Sequence, residues 1–431
     1  MDLPVDADRL RADIEANAAF GRVEFDDPEK RGRTNRTGSE ANRAARDRLV
    51  ERFADAGLDV AVDAVGNLFG TWTPDSADPD AAPVVSGSHL DSVPEGGIFD
   101  GPLGVYAALE SVRAMQDAGV EPDRPIGVVS FTEEEGGTFG NGLLGSAVAT
   151  GELDVEEALQ LTRSVGTGDD DAPDGETLGA ALDRIGYRGD DAIDPASWDA
   201  FYELHVEQDT TLESAGADAG VVTTITGITH CEVTIEGEAN HAGATAMGDR
   251  TDALAAASEF VLDVEAAANE VAASDSPSAV GTVGSLSVSP NATNVVPGRV
   301  EAGVDVRDVK AESMETIVEA AGESLARLER ERGVVTDLER PFDVAPTPMS
   351  ERLRAAAHDA ADAAGRQAID LHSGAAHDAM RVARVTDASL LFAPSRDGIS
   401  HNPREWTDWA DCAAATEVLA GAIARVAGVD E

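Results

Sequence analysis

The sequence predicts an α/β fold: a mixed, largely parallel sheet flanked by helices, interrupted by a smaller α+β unit with an antiparallel sheet. Three observations carry this. Short apolar runs at 83–88, 126–131 and 201–206 have the length of buried strands, and helical patterns alternate with them. Between 219 and 337 the order changes to strand, strand, helix, strand, strand, helix, strand, as in a small α+β sandwich. After Met349 the first pattern returns. At 431 residues there is room for two domains. The reading is one domain at 1–217 and 338–431, with an inserted domain at 218–337.

In chain order, residues 1–20 are acidic and helix-like, with no basic and apolar leader pattern. Residues 38–57 form an amphipathic helix capped by Ser39 and stopped by Gly57. A short strand pair follows at 58–62 and 67–72. The run at 83–88 leads into a Gly-Ser-His turn, 103–118 is a helix and 126–131 is a second buried strand. Residues 164–175 are a solvated loop, and 201–206 is a strand. The inserted unit carries an Ala-rich helix at 251–272 and a second helix at 313–331. The closing part is a helix, a strand at 388–392, a loop and a last helix at 407–427.

There are 82 Asp and Glu against 32 Lys and Arg, a formal charge of −50. Such a chain lacks the clustered cations that nucleic acid or an anionic membrane surface requires. With 42% hydrophobic residues it can still build a core. Lys30 and Lys310 are its only lysines. Acid in place of lysine keeps a surface hydrated in concentrated salt, which also screens its self-repulsion. The composition therefore predicts a protein from the cytoplasm of a salt-accumulating halophile. Two cysteines, Cys231 and Cys412, fit a reducing compartment. No stretch approaches the roughly 20 apolar residues of a membrane span.

Four clusters carry chemistry. His89 follows a buried strand in Ser88-His89-Leu90-Asp91, and Asp100 closes the Gly-rich loop after it. Strand ends followed by such loops are where α/β folds place ligands. A lone histidine is more often structural than a ligand. Asp91, which can orient the ring, and Asp100 shift that balance. Glu133, Glu134 and Glu135 follow the strand at 126–131. In so acidic a chain a charge run is usually a solvated face, but three adjacent carboxylates at a strand end repel unless a cation or proton neutralises them. In Glu203-Leu204-His205-Val206-Glu207-Gln208, alternation sets Glu203, His205 and Glu207 on one face. His401 lies in Gly398-Ile399-Ser400-His401, ahead of the last helix. Imidazole with carboxylate suits Zn, Mn, Co or Ni. Five ligands with one shared acid would make a two-metal site that activates water and polarises a carbonyl.

The string Ser88 to Gly104 (SHLDSVPEGGIFDGPLG) resembles the dinuclear-metal amidohydrolases related to carboxypeptidase G and the aminoacylases. The strings at 205–208, 241–247 (HAGATAM), 373–379 (SGAAHDA) and 398–401 look like its hydantoinase/carbamoylase branch. That branch holds N-carbamoyl-L-amino-acid hydrolases, allantoate amidohydrolases and β-ureidopropionases. The resemblance runs from Asn35 to the last helix. It implies that the inserted unit is a ferredoxin-like dimerisation and lid domain, and that each subunit holds two divalent metal ions, Zn or Mn ahead of Co or Ni. His89, Asp100 and His205 would hold one ion; Asp100, Glu135 and His401 the other. Histidine at 205, where the peptidase and aminoacylase branches are typically acidic, favours the carbamoylase branch. Glu134 would be the general base, with Glu133 structural. His241 would reach the site of a partner subunit and stabilise the oxyanion. Asn294 and Arg307 would grip the substrate carboxylate, Gln208 would contact substrate, and His377 would line the pocket. Read without the resemblance, His241 would be a surface histidine, Asn294 a turn asparagine and Arg307 a salt-bridged arginine.

The implied reaction is hydrolysis of the ureido C–N bond of an N-carbamoyl-L-amino acid, giving the amino acid, ammonia and carbon dioxide, by a homodimer with sites completed in trans. Allantoate and β-ureidopropionate are the alternatives within the class. A deacylase or dipeptidase, and a non-catalytic ligand-binding relative, are the others. Three local departures leave every implied ligand in place but alter pocket positions: Gly-Gly-Thr-Phe after the glutamates, Ala246 between Thr245 and Met247, and Ala376 before His377.

Overall fold

The apolar runs become the centre of a mixed sheet. Ala388–Ala393, Ala200–Val206, Val84–His89 and Ile126–Phe131 lie side by side in that order, all parallel and buried along their whole length. Strands covered on both faces read as continuous apolar runs, which is why they were legible. Leu68–Trp72 and then Asp59–Val62 extend one side antiparallel. Ala219–Ile225 extends the other, antiparallel to Ala388–Ala393. The coordinates are a computed structural model that describes residues 3–164, 173 and 175–429. Apart from residues 164, 173 and 175, the predicted loop at 164–175 lies outside the described residues.

Helices cover this sheet. Ser39 caps Glu40–Asp55 by accepting from the Asn42 N–H, and Gly57 closes it at φ +74. In Pro102–Ala118 every residue from Pro102 to Met115 is buried. This helix can lie so close to the strands because of Gly104: a Cβ there would come within 2.3 Å of the Leu204 carbonyl oxygen. Trp409–Val426 packs between Pro102–Ala118 and Glu351–Ala364. No helix among the described residues is long and apolar enough to cross a membrane. Cys231 and Cys412 are free and buried.

The chain divides into two compact units. One comprises Met1–Thr223, Met349–Leu371 and His377–Glu431; the other comprises Thr224–Pro348 and His372–Ala376. The second holds a four-stranded antiparallel sheet in the order Val280–Ser289, Arg299–Asp308, Gly227–Glu236, Val335–Val344. Its helices Ala253–Ser274 and Ala311–Arg332 close a core around Val233, Ile235, Phe260, Val304 and Ile317. Along Arg299–Asp308 the even-numbered residues are buried. Asp305 and Arg307 therefore share the outward face.

The units divide later than the expected 217/218 and 337/338. Gly220 and Val221 still pair with Phe392 and Leu391 in the large sheet. Strand Val335–Val344 continues past 337 along Gly227–Glu236 as far as Val344, opposite Ile228. The strand Ala368–Ser373 was not anticipated. It is half exposed and carries Asp370 and His372 between apolar residues, so it has no apolar run to announce it. The Ala-rich helix starts at Ala253 rather than 251, because Asp252 caps it by accepting from the Leu254 and Ala255 N–H groups.

Candidate active site

The parallel strands end on one edge of the large sheet, and four stretches meet there. His89 is the last residue of Val84–His89, and His205 is one residue short of the end of Ala200–Val206. The glutamate run follows Phe131 directly. Asp100 lies just before helix Pro102–Ala118, and His401, at φ +52, lies in the loop before Trp409–Val426.

Asp100 is the meeting point. Its Oδ1 is 3.0 Å from His205 Nε2 and 3.7 Å from His89 Nε2. Its Oδ2 is 3.4 Å from His401 Nε2, which is also 3.4 Å from Glu135 Oε2. Two ligand groups thus share one residue: His89, Asp100 and His205, and Asp100, Glu135 and His401. Within each, the ligand atoms lie within 4.8 Å of one another. Each Asp100 oxygen faces a different group, as a bridging carboxylate must.

The donor set fits metal. His89 Nδ1 is 3.2 Å from the Asp91 carbonyl oxygen, and His205 Nδ1 is 3.0 Å from that of Val206. A carbonyl only accepts, so each Nδ1 carries a proton, and Nε2 is the nitrogen turned towards Asp100 and left to meet a metal. His89 Nε2 and Asp100 Oδ2 are buried without a hydrogen-bond partner. Carboxylates gathered around one point repel unless a cation or proton neutralises them, and imidazole with carboxylate is a donor set for a divalent metal.

The acids crowd one another, and the histidines offset part of this. Burial pushes the Glu134 carboxyl well above its usual range, and the neighbouring Glu135 adds to this against the pull of His89. Burial and then Asp100 push Glu135 up to about 8. Burial pulls the His89 and His205 rings down, but Glu134 and Asp91 around the first, and Asp100 beside the second, outweigh it and raise both. Burial would raise Asp100, yet His205, His89 and His401 hold it low.

The three glutamates part company because Glu133 takes φ +57. Its side chain turns inward, where Oε1 accepts from the Thr138 and Phe139 N–H groups at 2.6 Å each. Glu134 and Glu135 face the cluster. Glu134 Oε2 lies 3.5 Å from His89 Nε2, and Glu134 belongs to neither ligand group. Asp91 does less for the His89 ring than the sequence suggests. Its carboxylate is 3.6 Å from Nδ1 and instead accepts from the Glu134 and Glu135 N–H groups at 3.3 and 3.2 Å. It fixes the backbone that carries Glu134 and Glu135.

His377 is buried with its ring 4.6 Å from that of His205. Burial, then His205, drives its pKa well below the usual range, so it stays neutral. Gln208, at φ +61, donates from Nε2 to Ser400 Oγ at 3.2 Å, beside His401. Glu203 does not join the ligands. It accepts from Ser88 Oγ and the Ala379 N–H at 2.7 and 2.8 Å, while Glu207 accepts from the Leu212 N–H.

In the second unit, Asn240–His241 pairs with Val295–Val296, and the Asn294 carbonyl accepts from the Ala242 N–H. His241 is exposed, and its Nδ1 accepts from the Gly243 and Ala244 N–H groups at 3.0 and 3.1 Å. The neutral ring therefore presents Nε2–H outward as a donor. Asn294 is exposed as well. Asp305 holds Arg307 by Nε and Nη2 at 2.9 and 3.1 Å, and Nη1 donates to the Gly374 carbonyl.

Residues 85–425 match the sequence profile of peptidase family M20/M25/M40. The chain belongs to this family. This M20 chain is 40% identical over 381 residues to an N-carbamoyl-L-amino acid amidohydrolase of Geobacillus stearothermophilus, covering 88% of this chain and 89% of that one. It is 35% identical over 356 residues to an allantoate amidohydrolase of Bacillus subtilis, covering 81% and 82%. Its fold matches a hydantoinase/carbamoylase family amidase of Burkholderia multivorans with a TM-score of 0.88 at 36% identity, over 99% and 98% of the two chains. Two charged residues of the M20 chain that touch the Asp100 loop, Arg33 and Glu405, escaped sequence reasoning. Glu405 lies beyond the string at 398–401 and Arg33 ahead of Asn35, so neither falls in a stretch that the resemblance singled out.

Proposed function

We propose that this M20 enzyme hydrolyses the ureido C–N bond of N-carbamoyl-L-amino acids, giving the amino acid, ammonia and carbon dioxide. The observation that carries the reading is the pair of ligand groups sharing Asp100, with Glu134 beside them and outside both. The 40% identity to a carbamoyl-amino-acid amidohydrolase supports the substrate class. Two divalent ions, Zn or Mn ahead of Co or Ni, held by His89, Asp100, His205, Glu135 and His401, would acidify a water and polarise the scissile carbonyl. Glu134 takes a proton from the attacking water and returns it to the leaving nitrogen as the C–N bond breaks. The carbamate left behind decomposes to ammonia and carbon dioxide. His241, reaching a partner subunit's site in a homodimer, donates Nε2–H to the developing oxyanion. Asn294 and Arg307 hold the substrate carboxylate, Gln208 a polar substituent, and neutral His377 supports the pocket wall.

The test is ammonia release from a panel of N-carbamoyl-L-amino acids, allantoate, β-ureidopropionate and N-acetyl amino acids, with Mn or Zn supplied. Carbamoyl-amino acids are expected to react fastest. A preference for allantoate, in line with the Bacillus subtilis relative, would move the substrate within the class, and acetate release without ammonia would defeat the reading. Arg307→Lys keeps the charge but loses the planar fork. It is expected to raise KM about tenfold or more with kcat little changed, the pattern of lost ground-state binding; an unchanged KM would remove Arg307 from the carboxylate site.

The charge of −50 supports a cytoplasmic enzyme of a salt-rich cell. An anionic substrate must approach this surface, and salt screens the repulsion. KM is expected to rise as KCl is lowered while the protein stays folded, and the melting temperature to be highest in molar KCl. Greatest stability in dilute buffer would contradict this.

A further inference from the structure

The loop from Leu90 to Asp100 places the bridging Asp100, yet it belongs to no helix or strand and must satisfy its backbone by other means. Two buried charged residues do so. Arg33 is fully buried, and all four of its side-chain hydrogen bonds go to carbonyls of this loop. Nη1 donates to Leu90 at 2.8 Å, Nη2 to Asp91 and Asp100 at 3.2 and 3.1 Å, and Nε to Gly97 at 3.2 Å. Glu405, 1% exposed, takes the opposite polarity: Oε1 accepts from the Phe99 and Asp100 N–H groups at 3.2 and 3.1 Å. Its Oε2 accepts from Ser400 Oγ at 2.9 Å, next to His401. Glu405 thus ties the loop of the bridging ligand to the loop of the exposed one, and through Ser400 to Gln208.

We infer that Arg33 and Glu405 are positioning residues that hold Asp100 between the two ligand groups, one gripping the carbonyls of its loop and the other the amides. A buried guanidinium and a buried carboxylate are costly to desolvate, and apolar packing would serve stability alone as well or better. Both sit where backbone groups of the loop need partners, while the Asp100 side chain faces the cluster. The close approach of Gly97 to Glu405 fits the same role. A Cβ at 97 would lie 2.0 Å from Glu405 Oε1, so the position admits only glycine while the carboxylate stays in place.

The inference rests on the metal reading, and the test separates the two. Zn2+ affinity of the full chain is measured by competition with a chromophoric chelator, with near-UV circular dichroism of Trp406 and Trp409 reporting the packing around Phe99. Failure of the unmutated protein to bind Zn2+ would refute the metal site itself. Given binding, Glu405→Gln keeps the reach and, through its one carbonyl oxygen, both acceptances from the loop amides, with the NH2 group left to donate to Ser400 Oγ, and is expected to stay within about threefold. Glu405→Asp keeps the charge and shortens the reach, and Arg33→Lys keeps the charge and abandons most of the carbonyls. Each is expected to weaken Zn2+ binding by about 10–100-fold, the usual range for groups that orient ligands. Equal affinity in all three, or loss in the Gln variant with retention in the Asp variant, would overturn the inference. Should the Asp variant not fold, Gly97→Ala displaces the same carboxylate, and unchanged affinity there overturns it as well.

Discussion

Glu134→Gln is expected to lose turnover by about 10²–10⁴-fold, the range for removal of a general acid–base group, while metal content stays near that of the unmutated protein. The expectation follows from position. Glu134 Oε2 reaches 3.5 Å from His89 Nε2, but the carboxylate belongs to neither ligand group, and its backbone N–H is fixed by Asp91. Glutamine fills the same space and cannot take a proton. The decisive readout is paired: kcat by ammonia release and bound metal by elemental analysis. Loss of metal together with activity would mean that Glu134 and Glu135 exchange roles.

Asp100→Ala is expected to abolish turnover and to remove both metals, whereas Glu135→Gln or His401→Ala removes one. The asymmetry comes from the two Asp100 oxygens. One lies 3.0 Å from His205 and 3.7 Å from His89, and the other 3.4 Å from His401. Alanine removes both oxygens and so one donor from each group. Retention of one metal in the Ala variant, with the same stoichiometry as in His401→Ala, would show that Asp100 serves a single site.

Much of this was written in the chain. The four parallel strands were readable because each is buried on both faces, and the candidate ligands because they lie at the ends of those strands or in the loops after them. The roles proposed for Glu133, Glu134 and Glu135 rest on the resemblance; the turned backbone at Glu133 accounts only for its side chain parting from the other two. Some features were not readable. Strand Ala368–Ser373 pairs in the sheet while half exposed, so its pattern is too mixed to stand out. The end of the second unit depends on how far Val335–Val344 stays paired with Gly227–Glu236, a non-local fact that no local pattern carries. Arg33 and Glu405 were missed for a similar reason. In a chain of 82 acids and 32 basic residues a single Arg or Glu carries no signal, and only the loop they hold, 57 to 67 residues from Arg33 and about 305 from Glu405, reveals their work.

Two metals sharing Asp100, with Glu134 as base, are proposed to perform a ureido hydrolysis. The most direct test is activity against metal content. The enzyme is stripped with a chelator in molar KCl, reloaded stepwise with Mn2+ or Zn2+, and assayed for ammonia from an N-carbamoyl-L-amino acid. The account predicts background activity in the stripped protein, recovery that saturates at two equivalents per chain, and one ammonia for each free amino acid formed. Full turnover by the stripped protein, or saturation at one equivalent, would contradict it.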